Sequence, residues 1–301
     1  MSDLSLSMSA IDRPQVLRIG DVEVSRVTER LFTTITPGAL FPDWNPAVLD
    51  EQRGWLAPEH MDPALEHTVL SVHTWVLKTP RHVILVDTGI GNGKDRPFSA
   101  LFHNLDNPYL ERLALAGVTP EQVDYVLMTH LHVDHVGWNT RLVDGEWKPT
   151  FPNAKYVFAQ AEQDFYATPA GARRLCVFQD SVLPLIEAGV TQTIPDDGGE
   201  YLEGIAFHPT PGHSFRHMAI SLQSQGQTAI FSGDVMHHPL QVYRPAWNSV
   251  FCDTPEQARA SREWLLEYAV RNDAAVFPAH FAGPSAGRIR REGDAYAWRF
   301  L

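Results

Sequence analysis

The chain has 301 residues, 44% of them hydrophobic and 20% charged, a globular balance large enough to bury a sizeable core and unlike that of a disordered protein. A formal net charge of -12 repels phosphate backbones and anionic lipid, so neither nucleic acid nor membrane is expected as a partner, and a small, mostly hydrophobic, uncharged substrate fits better. Two cysteines, Cys176 and Cys252, are too few for a disulfide framework, and there is no C-x-x-C pair for a sulfur-bound metal.

Met1 to Pro14 lacks the basic start and long apolar run of a secretory signal, and no stretch of 18 apolar residues occurs. A cytoplasmic protein is therefore expected, with residues 1–15 as an N-terminal extension and residues 16–301 as a single domain. Nothing in the sequence settles the oligomeric state, which leaves a homodimer open. Val16 to Thr28 alternates apolar and polar around Gly20-Asp21, a hairpin signal. Thr34 to Met61 carries four prolines with Phe41, Trp44 and Trp55 between them, and is expected to be irregular: a packed surface loop, a flap over a pocket or a dimer contact. Thr68 to Leu77 and His82 to Asp87 look like strands, and Pro108 to Ala116 like a short helix. Thr119-Pro-Glu-Gln122 has the form of a capped helix start, followed by a strand from Val123 to Met128. Further strands are expected at 154–159, 206–209, 220–222, 229–231 and 274–277, and a second Thr-Pro-Glu-Gln opens a long helix from Thr254 to Arg271. Strands and helices alternate without a low-complexity linker, so the class is α/β or α+β.

Apolar strands repeatedly stop at a His or an Asp. The densest case is Thr129-His130-Leu131-His132-Val133-Asp134-His135. Imidazoles and a carboxylate together suit zinc, iron or manganese better than calcium or magnesium. His130 and His132, two apart in extended chain, face one side, while Asp134 and His135 follow the turn. Two adjacent ions, one per pair, are therefore expected, each needing ligands from elsewhere in the chain.

This pattern resembles the metallo-β-lactamase-fold superfamily, whose His-x-His-x-Asp-His signature is followed by a distant His, an Asp and a last His. Here those members match His213 in Thr-Pro-Gly-His, Asp234 in Phe-Ser-Gly-Asp and His280 in Phe-Pro-Ala-His, and Val86-Asp87-Thr88-Gly89 matches the early Asp motif. The resemblance implies an α+β, four-layer αβ/βα sandwich and two divalent ions, with zinc first and iron or manganese as alternatives. It places His130, His132 and His213 on one ion and Asp134, His135 and His280 on the other, with Asp234 bridging. It also implies a hydroxide held between the ions as nucleophile, with Asp134 and Asp234 as catalytic carboxylates. Asp87 is expected to orient a ligand imidazole, and His217 to be structural or to support a ligand.

His237 is a departure. The family's acyl-homoserine lactonases carry tyrosine three residues after the bridging Asp, whereas its methyl parathion hydrolases resemble this chain in having His. His237 is expected to serve the leaving group or the pocket wall. Trp138, Asn139, Tyr243 and Trp247, close to ligands in sequence, are expected to line an apolar pocket. The function implied is hydrolysis of an ester-type bond, a lactone in first place, with organophosphate triesters as an added activity. The alternatives are a thioesterase or other hydrolase of the same fold, and a non-catalytic metal-binding scaffold. A β-lactamase is disfavoured by the missing signal peptide, and an RNA-processing nuclease by the acidic balance. A glyoxalase-type enzyme is disfavoured by the short segment after His280, and a flavodiiron protein by His132, where Glu is usual.

Overall fold

The hairpin at the start forms as its alternation requires: β1 (Val16–Ile19) and β2 (Val22–Ile35) pair antiparallel. Gly20 closes the turn at a φ of +56°, where a Cβ would collide with the Ser224 backbone, so only glycine fits this approach. This is a computed structural model describing residues 14–301, so all but the last two residues of the expected N-terminal extension lie outside the described residues.

Two short helices follow where irregular chain was expected: α1 (Pro37–Leu40) and α2 (Ala47–Leu56). The prolines do not interrupt them. Pro37 occupies the first turn of α1 behind the Thr36 cap, Pro46 precedes α2, and Pro58 lies beyond its end. Leu40, Phe41, Val48 and Leu56 pack onto Phe32, Leu70 and Val72, so this segment is fixed to the sheet.

The first sheet continues with β3 (Thr68–Lys78), β4 (Val83–Val86) and β5 (Tyr125–Leu127). A separate hairpin, β6 (Thr140–Val143) with β7 (Glu146–Pro149), precedes β8 (Lys155–Ala159) and β9 (Thr191–Ile194). The sheet order is β1-β2-β3-β4-β5-β8-β9, antiparallel as far as β4 and parallel from there on. The connections carry α3 (Tyr109–Leu115), α4 (Gln160–Phe165), α5 (Leu175–Ser181) and α6 (Leu183–Glu187). The first Thr-Pro-Glu-Gln closes a capping box, as expected, but makes only one 3-10 turn before β5.

The second sheet runs in chain order: β10 (Gly199–Leu202), β11 (Ile205–Pro209), β12 (Met218–Ser224), β13 (Gln227–Gly233), β14 (Ala275–Pro278), β15 (Gly287–Glu292) and β16 (Ala295–Phe300). The short α7 (Leu240–Tyr243) and the long α8 (Pro255–Arg271) form the crossover that lets β13 and β14 pair in parallel.

The two sheets face each other across one core. Trp75, Leu77, Val86 and Leu127 of the first meet Phe207, Ile220, Phe231 and Phe277 of the second. Each such side chain contributes roughly 1.5–3 kcal/mol on burial. Tyr109, Leu113, Val177 and Leu185 cover the outer face of the first sheet, and Leu265, Leu266 and Ala269 that of the second. The result is four layers, helix–sheet–sheet–helix, the α+β sandwich the sequence implied. β3 is buried along ten of its eleven residues because both its faces are covered, which explains its continuous apolar run.

Candidate metal centre

The chemistry-bearing side chains lie just past strand ends, at one edge of the sandwich. β4 delivers Asp87, β5 delivers Thr129 to His135, β11 leads to His213, β13 ends one residue before Asp234, and β14 ends two before His280. Strand ends fix the backbone, so the side chains start from rigid points.

Asp87, at a φ of +56°, turns its carboxylate back into the fold. It accepts from the Thr129 N–H and hydroxyl at 2.8 Å each and from His135 Nδ1 at 2.9 Å. Thr129 gives its only hydroxyl proton to Asp87, so its oxygen accepts from His130 Nδ1 at 3.0 Å. That fixes the tautomer and turns the His130 Nε2 lone pair inward. There it lies 3.1 Å from His213 Nε2, which is also 2.8 Å from His132 Nδ1. Burial above all holds His130, His132 and His213 well below the ordinary imidazole pKa, so all three stay neutral.

A second group shares an edge with the first. Asp234 Oδ1 is 3.2 Å from His135 Nε2, Oδ2 is 3.1 Å from His213 Nε2, and His280 Nε2 lies 3.0 Å from both oxygens. One carboxylate thus faces both imidazole groups. Asp134 approaches the same pair from the other side, 3.8 Å from His135 Nε2 and 3.7 Å from His280 Nε2. His280 Nδ1 donates to the Ser71 carbonyl at 2.9 Å, which aims its Nε2 at the carboxylates. Burial opposes charge at these groups and loses. Asp234, then Asp87 and Asp134, raise His135 well above its usual pKa, Asp234 raises His280, and the imidazoles hold Asp234 well below the carboxylate range. The carboxylates demand positive charge at this point.

His217 supports the central carboxylate. Its Nδ1 donates to Thr210 Oγ1 at 2.8 Å and its Nε2 accepts the Asp234 N–H at 3.0 Å. Burial pushes it down to about 4, which keeps the accepting lone pair. Gly233, at a φ of +49°, has no room for a Cβ against the His217 ring and Thr129.

His237 is buried, 3.3 Å from Asp234 Oδ2 and stacked at 9° on the His280 ring, and neither of its ring nitrogens finds a hydrogen-bond partner. A cavity of about 290 Å³ opens above the cluster, with His237 and Arg174 in its wall. Its apolar side comes from Phe32, Ile35, Leu70, Val72, Phe98 and Phe251.

Trp138, Asn139, Tyr243 and Trp247 do not line this cavity, contrary to the sequence expectation. The Trp138 ring stacks on Tyr109 at 4.9 Å and its Nε1 donates to Glu29, because Gly137 packs against the Ile90 backbone and turns the next residue inward. Asn139 accepts from the Thr88 hydroxyl, Tyr243 donates to the Trp298 carbonyl, and Trp247 packs between Phe41 and Trp44.

The sequence reading missed three residues. Glu29 is buried and accepts from the Ile90 and Gly91 N–H groups at 2.6 and 3.1 Å and from Trp138 Nε1 at 2.8 Å, anchoring the loop after Asp87. Glu162 ties the Leu131 and Arg216 N–H groups to the Ser214 hydroxyl, joining the two ligand loops. Arg174 Nη1 donates to His132 Nε2 at 2.7 Å. A lone charged residue in a mixed segment gives no signal of burial.

Comparison with known proteins bears on the family and the fold. A family model described as the metallo-beta-lactamase superfamily matches residues 67–280. A curated N-acyl homoserine lactonase of Bacillus cereus is 25% identical over 167 residues, covering 52% of this chain; the chain spans 60% of that relative's length. Among solved structures, a hydrolase, AbOPH, in the beta lactamase superfamily has a TM-score of 0.80 at 22% identity, covering 97% of this chain and 99% of that one. AidC, described as a dizinc quorum-quenching lactonase in complex with a product, has a TM-score of 0.76 at 19% identity, covering 96% and 97%. A probable metal-dependent hydrolase from Staphylococcus aureus has a TM-score of 0.75 at 24% identity, covering 95% and 99%. At these identities the structural likenesses speak for the fold.

Proposed function

The chain belongs to the metallo-beta-lactamase superfamily, and from that premise we propose that it is a hydrolase dependent on two divalent metal ions that cleaves an ester-type bond, a lactone in first place. The observation that carries the reading is Asp234, buried and set with Oδ2 toward His213, Oδ1 toward His135, and both oxygens 3.0 Å from His280 Nε2.

The donor set fits two cations. In the first group, His130 Nε2, His132 Nδ1 and His213 Nε2 converge within hydrogen-bond distance and the rings are neutral, so all three nitrogens could turn lone pairs on one cation once the His132 proton moves to Nε2. In the second, His135 Nε2 and Asp234 Oδ1 are buried 3.2 Å apart but not aligned as a hydrogen bond, an arrangement that a cation between them would satisfy. His130, His132 and His213 would hold one ion, Asp134, His135 and His280 the other, and Asp234 both. Imidazole and carboxylate without thiolate suit zinc, and admit iron or manganese. What the ions supply when bound is a water deprotonated near neutral pH and a polarised carbonyl or phosphoryl oxygen.

The chain's own residues do the rest. Asp87 and Thr129 lock the tautomers of His135 and His130, and His217 holds the Asp234 backbone. His237, at the cavity wall with Nδ1 unbonded and Nε2 3.3 Å from Asp234 Oδ2 without a well-formed hydrogen bond, donates to the leaving oxygen. The apolar side of the cavity takes the hydrophobic part of the substrate and excludes water.

A lactone leads because the curated relative is a lactonase. Organophosphate triesters, uncharged and apolar, suit the same wall and form the second substrate class. The decisive experiment is elemental analysis of chelator-free protein together with a zinc-loaded panel of lactones, aryl esters, phosphotriesters and thioesters. Near two metals per chain, with lactone turnover highest, supports the reading. Thioester preference moves it to the thioesterase alternative, and metals bound without turnover move it to the scaffold.

A further inference from the structure

His132 uses both ring nitrogens, and the two uses are in conflict. Nδ1 points into the ligand group, 2.8 Å from His213 Nε2, while Nε2 lies 2.7 Å from Arg174 Nη1. A guanidinium only donates, so the Arg174 contact requires a lone pair on Nε2 and places the proton of neutral His132 on Nδ1. In that tautomer the nitrogen aimed at the ligand group has no lone pair to give. If Nδ1 takes an ion, the proton moves to Nε2, and donor then faces donor across the Arg174 contact.

Once displaced, Arg174 keeps no hydrogen bond or ion pair of its own, although Asp253 is near enough to feel its charge. Among the described residues the His132 contact is its side-chain hydrogen bond, and no carboxylate stands within ion-pair distance. It is also the only arginine or lysine among the described residues lining the cavity, facing a wall that includes Phe98 and Phe251. A guanidinium freed at the wall of this cavity, beside its apolar side, is matched by a planar pair of oxygens, which it binds bidentately. Hydrolysis of an ester releases such a group beside the reacting atoms.

We propose that Arg174 caps His132 in the metal-free protein, competes with the first ion for that imidazole, and after metal loading becomes the cavity's carboxylate clamp, holding the acid formed in the reaction. Arg174 is thereby a positioning and specificity residue for the acyl side of the substrate. The inference rests on the reading of the cluster as a metal centre, and its test separates the two.

Zinc affinity is measured by competition with a chromogenic chelator for the wild type, Arg174→Met and Arg174→Gln. Methionine removes the contact. Glutamine, two atoms shorter than arginine, removes the guanidinium but keeps a polar tip whose amide suits either His132 tautomer, so it preserves the fold if methionine does not. Both variants should bind the first zinc roughly tenfold more tightly, the scale of one hydrogen bond to a charged group. Calorimetry with hexanoate on zinc-loaded protein should show both variants roughly tenfold weaker than the wild type, while hexanamide binds all three alike. Zinc affinity unchanged in both variants overturns the competition, and hexanoate affinity unchanged overturns the clamp. A wild type that takes up no zinc overturns the metal centre itself.

Discussion

Asp234→Asn is the most informative single change, because asparagine keeps the shape and removes only the charge. The backbone N–H that donates to His217 at 3.0 Å is retained, so the loop stays in place. What is lost is a buried carboxylate oxygen 3.0 Å from His280 Nε2 and 3.2 Å from His135 Nε2, and a second 3.1 Å from His213 Nε2. In metal-free protein the raised His135 and His280 then face one buried charge fewer, and removing one partner from a buried pair costs about 3–5 kcal/mol. At about 2 °C per kcal/mol for a chain of this size, the metal-free variant should melt roughly 6–10 °C lower. In loaded protein two dications lose the anion between them, so metal content should fall from about two to about one per chain. Hydrolysis should drop by at least ~10³-fold. The assays are calorimetric melting after chelation, elemental analysis and turnover, each on the same preparation. Two retained ions with a near-normal rate would refute the bridge. A metal-free variant as stable as the wild type would refute the electrostatic argument by itself.

Three further outcomes follow from other parts of the molecule. His237→Ala should lower turnover roughly 10²-fold on esters with poor alkoxide leaving groups and little on nitrophenyl esters, with metal content intact; equal losses on both would end its role at the leaving oxygen. Chelation should abolish activity and lower the melting temperature while circular dichroism keeps its folded shape, since four layers of core stand apart from the cluster; a metal-free chain that is unfolded would contradict this. Burial, against the pull of Asp180, pushes the Lys94 ammonium down to about 7 from 10.5. The unfolded chain therefore binds the extra proton across that window, so stability should rise with pH there; Lys94→Met should flatten the rise, and equal slopes in denaturant melts of the two proteins would show the shift to be wrong.

The cluster that could hold metal was legible because most of it is local. His130, His132, Asp134 and His135 fall within six residues, and His213, Asp234 and His280 each close a short run after a strand. The strands were legible where one face or both are buried, as in β3 and β14. Helix α2 was not, because a proline breaks a helix only at interior positions, and the sequence pattern alone does not show where the helix begins. Pro46 stands before its first turn and Pro58 after its last, where neither costs a hydrogen bond. The buried Glu29 was hidden for another reason. In Thr28-Glu29-Arg30 it reads as a solvent-facing strand residue, yet the backbone donors it satisfies, Ile90 and Gly91, lie about sixty residues away and have no mark in the sequence.

The same contrast between local and distant explains why the ligands were found and the cavity wall was not. Trp138 and Trp247 lie near the cluster along the chain, but nearness along the chain is not nearness in space. Past a strand end, however, the chain turns, and a large ring beside a ligand is carried into the nearest apolar layer: Trp138 onto Tyr109, Trp247 onto Phe41. The wall is built instead by Phe32 and Ile35 of β2, Leu70 and Val72 of β3, and loop residues Phe98 and Phe251, all far from the ligand motif in sequence. Those positions can vary without disturbing a metal ligand, whereas a change at His130 or Asp234 disturbs the centre directly. A signature made of ligands therefore reports the metal chemistry and says little about the substrate. Specificity in this chain has to be sought by altering Phe98, Phe251 and Arg174, which touch the cavity and lie outside the signature.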